Sequence, residues 1–143
     1  MQRHHLALFS VLLLAAAAFR PAAQQAPLQL QIRNAQPARG RIVVELYRTE
    51  AEWLQTPFRR ISLPADGAAS QATLAVPYGK YAVSIYQDAN GNGRLDQNFL
   101  GIPKEPIGFG NNYKPFGKPD FAPAVIEHGP TIKPAAIKLF SVL

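Results

Sequence analysis

The groups best placed to do chemistry are concentrated in "DANGNGRLD", residues 88 to 96. Side-chain oxygens stand at Asp88, Asn90, Asn92 and Asp96, and Gly93 follows the third of them. That is the first half of a calcium loop of the D-x-[DN]-x-[DN]-G type. Alternate side chains of a tightly curved loop point inward, glycine permits the sharp turn, and the next residue offers its carbonyl. The metal set on this reading is Asp88, Asn90, Asn92, the Arg94 carbonyl and Asp96, with Leu95 anchoring the loop in the core. The twelfth position, where a bidentate Glu belongs, is Phe99. With two carboxylates in the loop, calcium affinity belongs at the weak end, about 10⁻⁴ to 10⁻³ M. Glu105 and Asp120 are candidates to complete the shell. The other reading is an elaborate turn, in which Asp and Asn cap backbone amides and "NGNG" supplies positive φ angles. The residues alone leave both open.

The segment that follows carries a second kind of chemistry. Glu105, Phe109, Asn111, Asn112 and Tyr113 combine aromatic faces with a few polar groups, as in sites that bind a small molecule, a glycan or a peptide. The alternative is that the rings cover the open end of the fold, since long loops need apolar anchors. Asp88, Asp96 and Glu105 are also the carboxylates from which a hydrolase would draw an acid–base pair. There is no cysteine, which excludes disulfides, a lipid-anchored cysteine and thiolate catalysis. Beyond the first 23 residues His128 is the only histidine, and "EHGP" reads as an exposed turn. No catalytic constellation is complete. The expected function is a non-catalytic binding or accessory module acting through residues 88–121, with a periplasmic hydrolase as the alternative.

The elements that must position these residues read as strands. "LQLQI" (28–32) alternates apolar and polar residues, the period of a half-buried strand. "GRIVVELYR" (40–48), "FRRISLP" (58–64), "SQATLAVP" (70–77) and "GKYAVSIYQD" (79–88) follow, the last with Tyr81, Val83 and Ile85 on one face. "APAVIEH" (122–128) and "IKPAAIKLF" (132–140) close the chain, and Pro134 predicts an edge or late start for the second. One helical turn is expected at Thr49–Trp53, where a Thr cap precedes a Glu three residues on. About seven short strands separated by Gly and Pro predict an all-β, antiparallel two-sheet sandwich, with a small closed barrel as the alternative. The interval from Asp88 to Pro123 has hardly any strand signal yet holds five aromatic residues, so it must fold back on the sheets.

The start of the chain is of another kind. "MQRHH" is cationic, "LALFSVLLLAAAAF" is apolar and "RPAAQQA" is small and polar, the layout of a secretory signal peptide. The apolar run falls short of the roughly 20 residues a membrane span needs. Residues 1–23 are therefore expected to be a signal peptide, cleaved after Ala18 or Ala23, and 24–143 a single domain that is periplasmic or secreted. Loss of Arg3 and Arg20 lowers the net charge from +6 to +4. The remaining bases are scattered, with Arg59-Arg60 the only adjacent pair, which argues against a nucleic-acid partner.

The stretch "YAVSIYQDANGNGRLDQNFLGIPKEPIGFGNN" resembles the signature of a family of small exported bacterial proteins known as a domain of unknown function. That signature joins a strand and a D-x-N-x-N-G-x-L-D loop to a G-I-P-x-E-x-x-G-F-x-N-N segment. Here these are Asp88, Asn90, Asn92, Gly93, Leu95 and Asp96, then Gly101, Ile102, Pro103, Glu105, Gly108, Phe109, Asn111 and Asn112. The likeness is dense over residues 79 to 121 and looser over the strands before it. It implies export and an immunoglobulin- or transthyretin-like sandwich, and no established activity.

Overall fold

The structure, a computed structural model, describes residues 26–131 and 133–143. The expected signal peptide lies outside the described residues. Among the described residues eight strands follow one another: β1 (Pro27–Arg33), β2 (Arg41–Tyr47), β3 (Arg59–Pro64), β4 (Ala69–Ala75), β5 (Gly79–Asp88), β6 (Ile107–Phe109), β7 (Val125–His128) and β8 (Ala135–Lys138). They form two sheets, one ordered β4-β1-β8 and one ordered β3-β2-β5-β6, with β7 also paired to β5. The fold is the expected all-β sandwich.

Alternation decides which side chains meet between the sheets. Leu28, Leu30 and Ile32 of β1 face Ile42, Val44 and Leu46 of β2 and Tyr81, Val83 and Ile85 of β5, all buried in one cluster. Burying such side chains stabilises the fold by about 1.5–3 kcal/mol each. At one end of this core Gln87 is fully buried. Its carboxamide accepts from the Gln36 amide at 2.8 Å and donates to the Gln36 and Arg39 carbonyls at 2.7 Å each, which pins the β1–β2 connection. Gly40 in that connection has φ +63°, and a β-carbon there would overlap the Asp88 carbonyl oxygen. Only glycine meets both demands at the spot where the 88–96 loop begins.

Four details differ from the sequence expectation. The interval after Asp88 contributes a strand of its own, the short β6, paired to β5 through Ser84↔Phe109 and Tyr86↔Ile107. Three residues are too few for a periodic signal. The sandwich also holds one parallel pair, β1 with β8, at the edge that Pro134 predicted. The turn near Thr49 is a 3₁₀ turn at Glu50–Glu52 without a side-chain cap from Thr49; Glu52 instead accepts from the Arg48 amide at 3.3 Å. His128 is not in an exposed turn. It is 7 % exposed at the end of β7, with Nε2 2.9 Å from the Ala26 carbonyl and its ring edge-on to Tyr78.

β5 is buried on both faces, and this sets up the rest. Its inner residues join the sandwich core. Ala82 and Tyr86 face outward and pack with Val43, Tyr47, Trp53, Ile107, Phe109 and Ala124 in a second apolar cluster. The long loop lies over this outer face, with Tyr113 and Phe121 packed against it. The rings cover a sheet rather than the open end of the sandwich.

Candidate functional site

The loop at the end of β5 is held by its own carboxylates. Asp88, 2 % exposed, accepts the Asn92 amide on Oδ1 at 3.0 Å and the Gly93 amide on Oδ2 at 2.7 Å. Glu105, also buried, accepts the Ala89 amide at 2.8 Å on one oxygen and the Asp96 amide at 3.0 Å on the other, so it spans the loop from start to end. Asp96 accepts the carboxamide NH₂ groups of Asn90 and Asn92 and has Arg94 Nε 3.7 Å away. Those hydrogen bonds, Asn92 first, hold the Asp96 carboxyl below its ordinary range. The side-chain oxygens of Asn90 and Asn92 accept the Asn92 and Arg94 amides.

The oxygen-rich set Asp88, Asn90, Asn92 and Asp96 is thus brought together as the spacing predicted, and its donor chemistry suits a hard cation. Each oxygen already accepts a hydrogen bond, and Asn90 and Asn92 turn their NH₂ groups rather than their oxygens toward Asp96. Among the described residues no three His, Cys, Asp or Glu side chains converge as a metal group. Glu105 braces backbone amides instead of completing a shell, and Asp120 sits with the Tyr113 hydroxyl at 3.3 Å.

A polar row ties the loop to the sheet. In register across the outer face stand Arg60 of β3, Glu45 of β2 and Ser84 of β5. Arg60 lies 3.5 Å from Glu45 and donates to the Tyr86 hydroxyl at 2.8 Å and the Gly93 carbonyl at 2.6 Å. Tyr47 donates to Glu45 at 2.7 Å. Burial, reinforced by the Glu45 carboxylate, pushes the Tyr47 hydroxyl well above its ordinary value.

Beside this row opens a cavity of about 640 Å³. Ser84, Ile107 and Phe109 form its floor, Leu54 and Phe140 stand at its sides, and residues 95–103 and 115–119 of the long loop frame it. The 97–103 turn is rigid because Asn98 Oδ1 accepts both the Leu100 and Ile102 amides, at 2.9 and 3.0 Å. It pushes Phe99 and Leu100 into solvent, 94 % and 68 % exposed. Across the mouth Phe116 is fully exposed. The 113–121 segment is fastened by Trp53 Nε1, which donates to the Pro119 carbonyl at 3.0 Å.

The candidate ligand residues divide. Phe109 lies on the cavity floor, and Tyr113 packs beside it with ring centroids 6.1 Å apart. Asn111 donates to the Pro123 and Val125 carbonyls, and Asn112 bonds the Ala136 carbonyl and the Lys138 amide. Both are committed to joining the loop to β7 and β8. The sequence did not mark Ser84, Leu54 or Phe140 as site residues, Ile102 stood only in the signature and Phe116 only among the loop aromatics. Ser84 is marked in the sequence only as a small polar residue between Ala82 and Tyr86 on one face of β5.

Fold and cavity together define a β-sandwich with an apolar groove over the outer face of its larger sheet. A family model described as an uncharacterized protein conserved in bacteria (DUF2141) matches residues 30–134, and the chain belongs to that family. No curated protein and no solved structure matches it.

Proposed function

We propose that this chain is an exported, non-catalytic binding module, periplasmic or secreted, whose ligand occupies the apolar groove under the 88–121 loop. The observation that carries this reading is the 640 Å³ cavity, within the range of small-molecule sites and lined in part by exposed Leu54, Leu100, Phe116 and Val142. Monomeric proteins seldom leave so many large apolar side chains together in water. Binding is favoured over hydrolysis because Asp88 and Glu105 spend both oxygens on backbone amides. Saturable uptake of a neutral apolar fluorophore, followed by its emission and by the single Trp53, tests the reading. The wild type binds with one-to-one stoichiometry, and Leu100→Glu, a change at an exposed rim position, abolishes binding without lowering the melting temperature. Equal uptake by both proteins would refute the site.

Calcium belongs to the same reading as a weak structural ion of residues 88–98. It is supported by the every-second-residue oxygens of Asp88, Asn90, Asn92 and Asp96 and by their anchoring at the end of β5. The ion must displace the Asn90 and Asn92 hydrogen bonds to Asp96, which keeps affinity near about 10⁻³ M. A ligand of the native state present at about thirtyfold excess over Kd adds about 2 kcal/mol. Melting curves should therefore rise at tens of millimolar calcium over chelator, not with magnesium, and Asp88→Ala should lose the rise. Superimposable wild-type curves would leave the loop as a turn held by its own hydrogen bonds.

A further inference from the structure

We infer that the ligand of the groove is an elongated anionic amphiphile, with its carboxylate at the mouth and a hydrogen-bonding group at its buried end. The inference rests on the groove being the binding site, as proposed above, and adds the chemistry of what fills it. Ser84, Gln97 and Lys118 interrupt the apolar lining, and Ser84 and Lys118 carry the inference.

At the floor is Ser84, 7 % exposed and between Glu45 and Phe109 in the sheet register. Its hydroxyl has no hydrogen-bond partner among the described residues. The oxygen is not sealed in the core, where no side-chain polar atom is left unpaired; it is open to the cavity. A buried hydroxyl left unmatched by an apolar ligand carries a desolvation cost, whereas one matched by the ligand recovers it. The floor therefore favours a hydroxyl or carbonyl. It disfavours a charged carboxylate, because Glu45 stands opposite Ser84 on the same face.

At the mouth is Lys118, exposed and without an ion pair among the described residues. Lys114 lies 5.1 Å above the ring of Phe140, itself a wall of the cavity. The nearest acid in sequence, Asp120, is held by the Tyr113 hydroxyl. One cation thus lines the apolar opening and a second stands over the ring of its Phe140 wall, and neither is in an ion pair among the described residues. An acyl chain fits the walls between the two ends, and a carboxylate is the complement of the mouth.

The test is calorimetric titration with three twelve-carbon probes below their micelle concentrations: 12-hydroxydodecanoate, dodecanoate and 1,12-dodecanediol. The hydroxy acid binds tightest. Ser84→Ala, isosteric with its neighbour Ala82 on that face, weakens the hydroxy acid about two- to tenfold and leaves dodecanoate unchanged. Lys114→Gln with Lys118→Gln weakens both acids, leaves the diol unchanged and removes the salt dependence of acid binding. Equal affinity for acids and diol overturns the mouth assignment, and an equal effect of Ser84→Ala on both acids overturns the floor. If the neutral fluorophore binds but the probes are not distinguished, the amphiphile inference fails while the groove stands. If the fluorophore fails as well, both fall. Sedimentation with phosphatidylglycerol vesicles, dependent on Phe116 and without monomer binding, would assign the surface to a membrane and overturn the inference.

Discussion

At the residue scale, the 88–96 loop depends on the Asp96 carboxylate staying ionised. Asp96 accepts from Asn90 and Asn92, and its folded-state pKa lies below the ordinary 3.8. Its contribution is therefore present above pH 3.8 and lost as pH falls through the lower folded value. Urea midpoints measured between pH 6 and pH 2.5 should fall at the acid end, and Asp96→Asn should flatten the part of that fall due to this residue. An unchanged acid limb would mean that the bonds drawn to Asp96 do not persist in solution. The loop spacing was readable because it lies within nine consecutive residues. Glu105's role was not, because the amides it holds belong to residues 89 and 96, and only the return of the chain through residues 97–104 brings it beneath them.

At the element scale, the long loop behaves as a layer over the outer face of the larger sheet. Its seam is the crossing of residues 110–112 over residues 122–125. A β-carbon on Gly110 would overlap the Ala124 carbonyl oxygen, and backbone cannot yield as a side-chain tip can. Gly110→Ala should cost about 1–3 kcal/mol, as overpacking of a tight contact does. Denaturant unfolding followed by Trp53 fluorescence checks this, because Trp53 packs 6.0 Å from both Phe109 and Phe121 across the same seam. A loss below a few tenths of a kcal/mol would show that the layer is looser than drawn. β6 is joined to the segment just after β8 through a two-way hydrogen-bond bridge between Ile107 and Phe140, so residues 140–142 help frame the groove. That joint spans 33 residues of sequence and left no local mark.

At the scale of the whole molecule, two apolar layers share one sheet. The outer layer encloses the Tyr47–Glu45–Arg60–Tyr86 row, and burial pushes the Tyr47 hydroxyl up. A tyrosine whose folded-state pKa is raised contributes stability that is complete below pH 10 and is lost as pH rises toward the folded value. Alkaline titration of phenolate absorbance should show Tyr47 ionising only with unfolding. Tyr47→Phe removes one proton from that final step. If Tyr47 ionises below the unfolding transition, so that Tyr47→Phe removes a proton there instead, the outer layer is open to solvent.

The sequence by itself determined seven of the strands, the sandwich and the oxygen-rich loop. These are read from nearest neighbours: alternation with period two, β-branched runs closed by Gly or Pro, and acids and amides at every second position. Only the tertiary structure decided which aromatic residues became core and which became rim. Phe109 and Phe121 pack against Trp53, while Phe99 and Phe116 project from tight turns; all four are phenylalanines in one loop, alike by composition. It also decided that Ser84 faces a cavity, since β5 reads the same whether its outer face is solvated or covered. What covers that face comes from residues 95 to 142, so the groove exists only once distant segments meet.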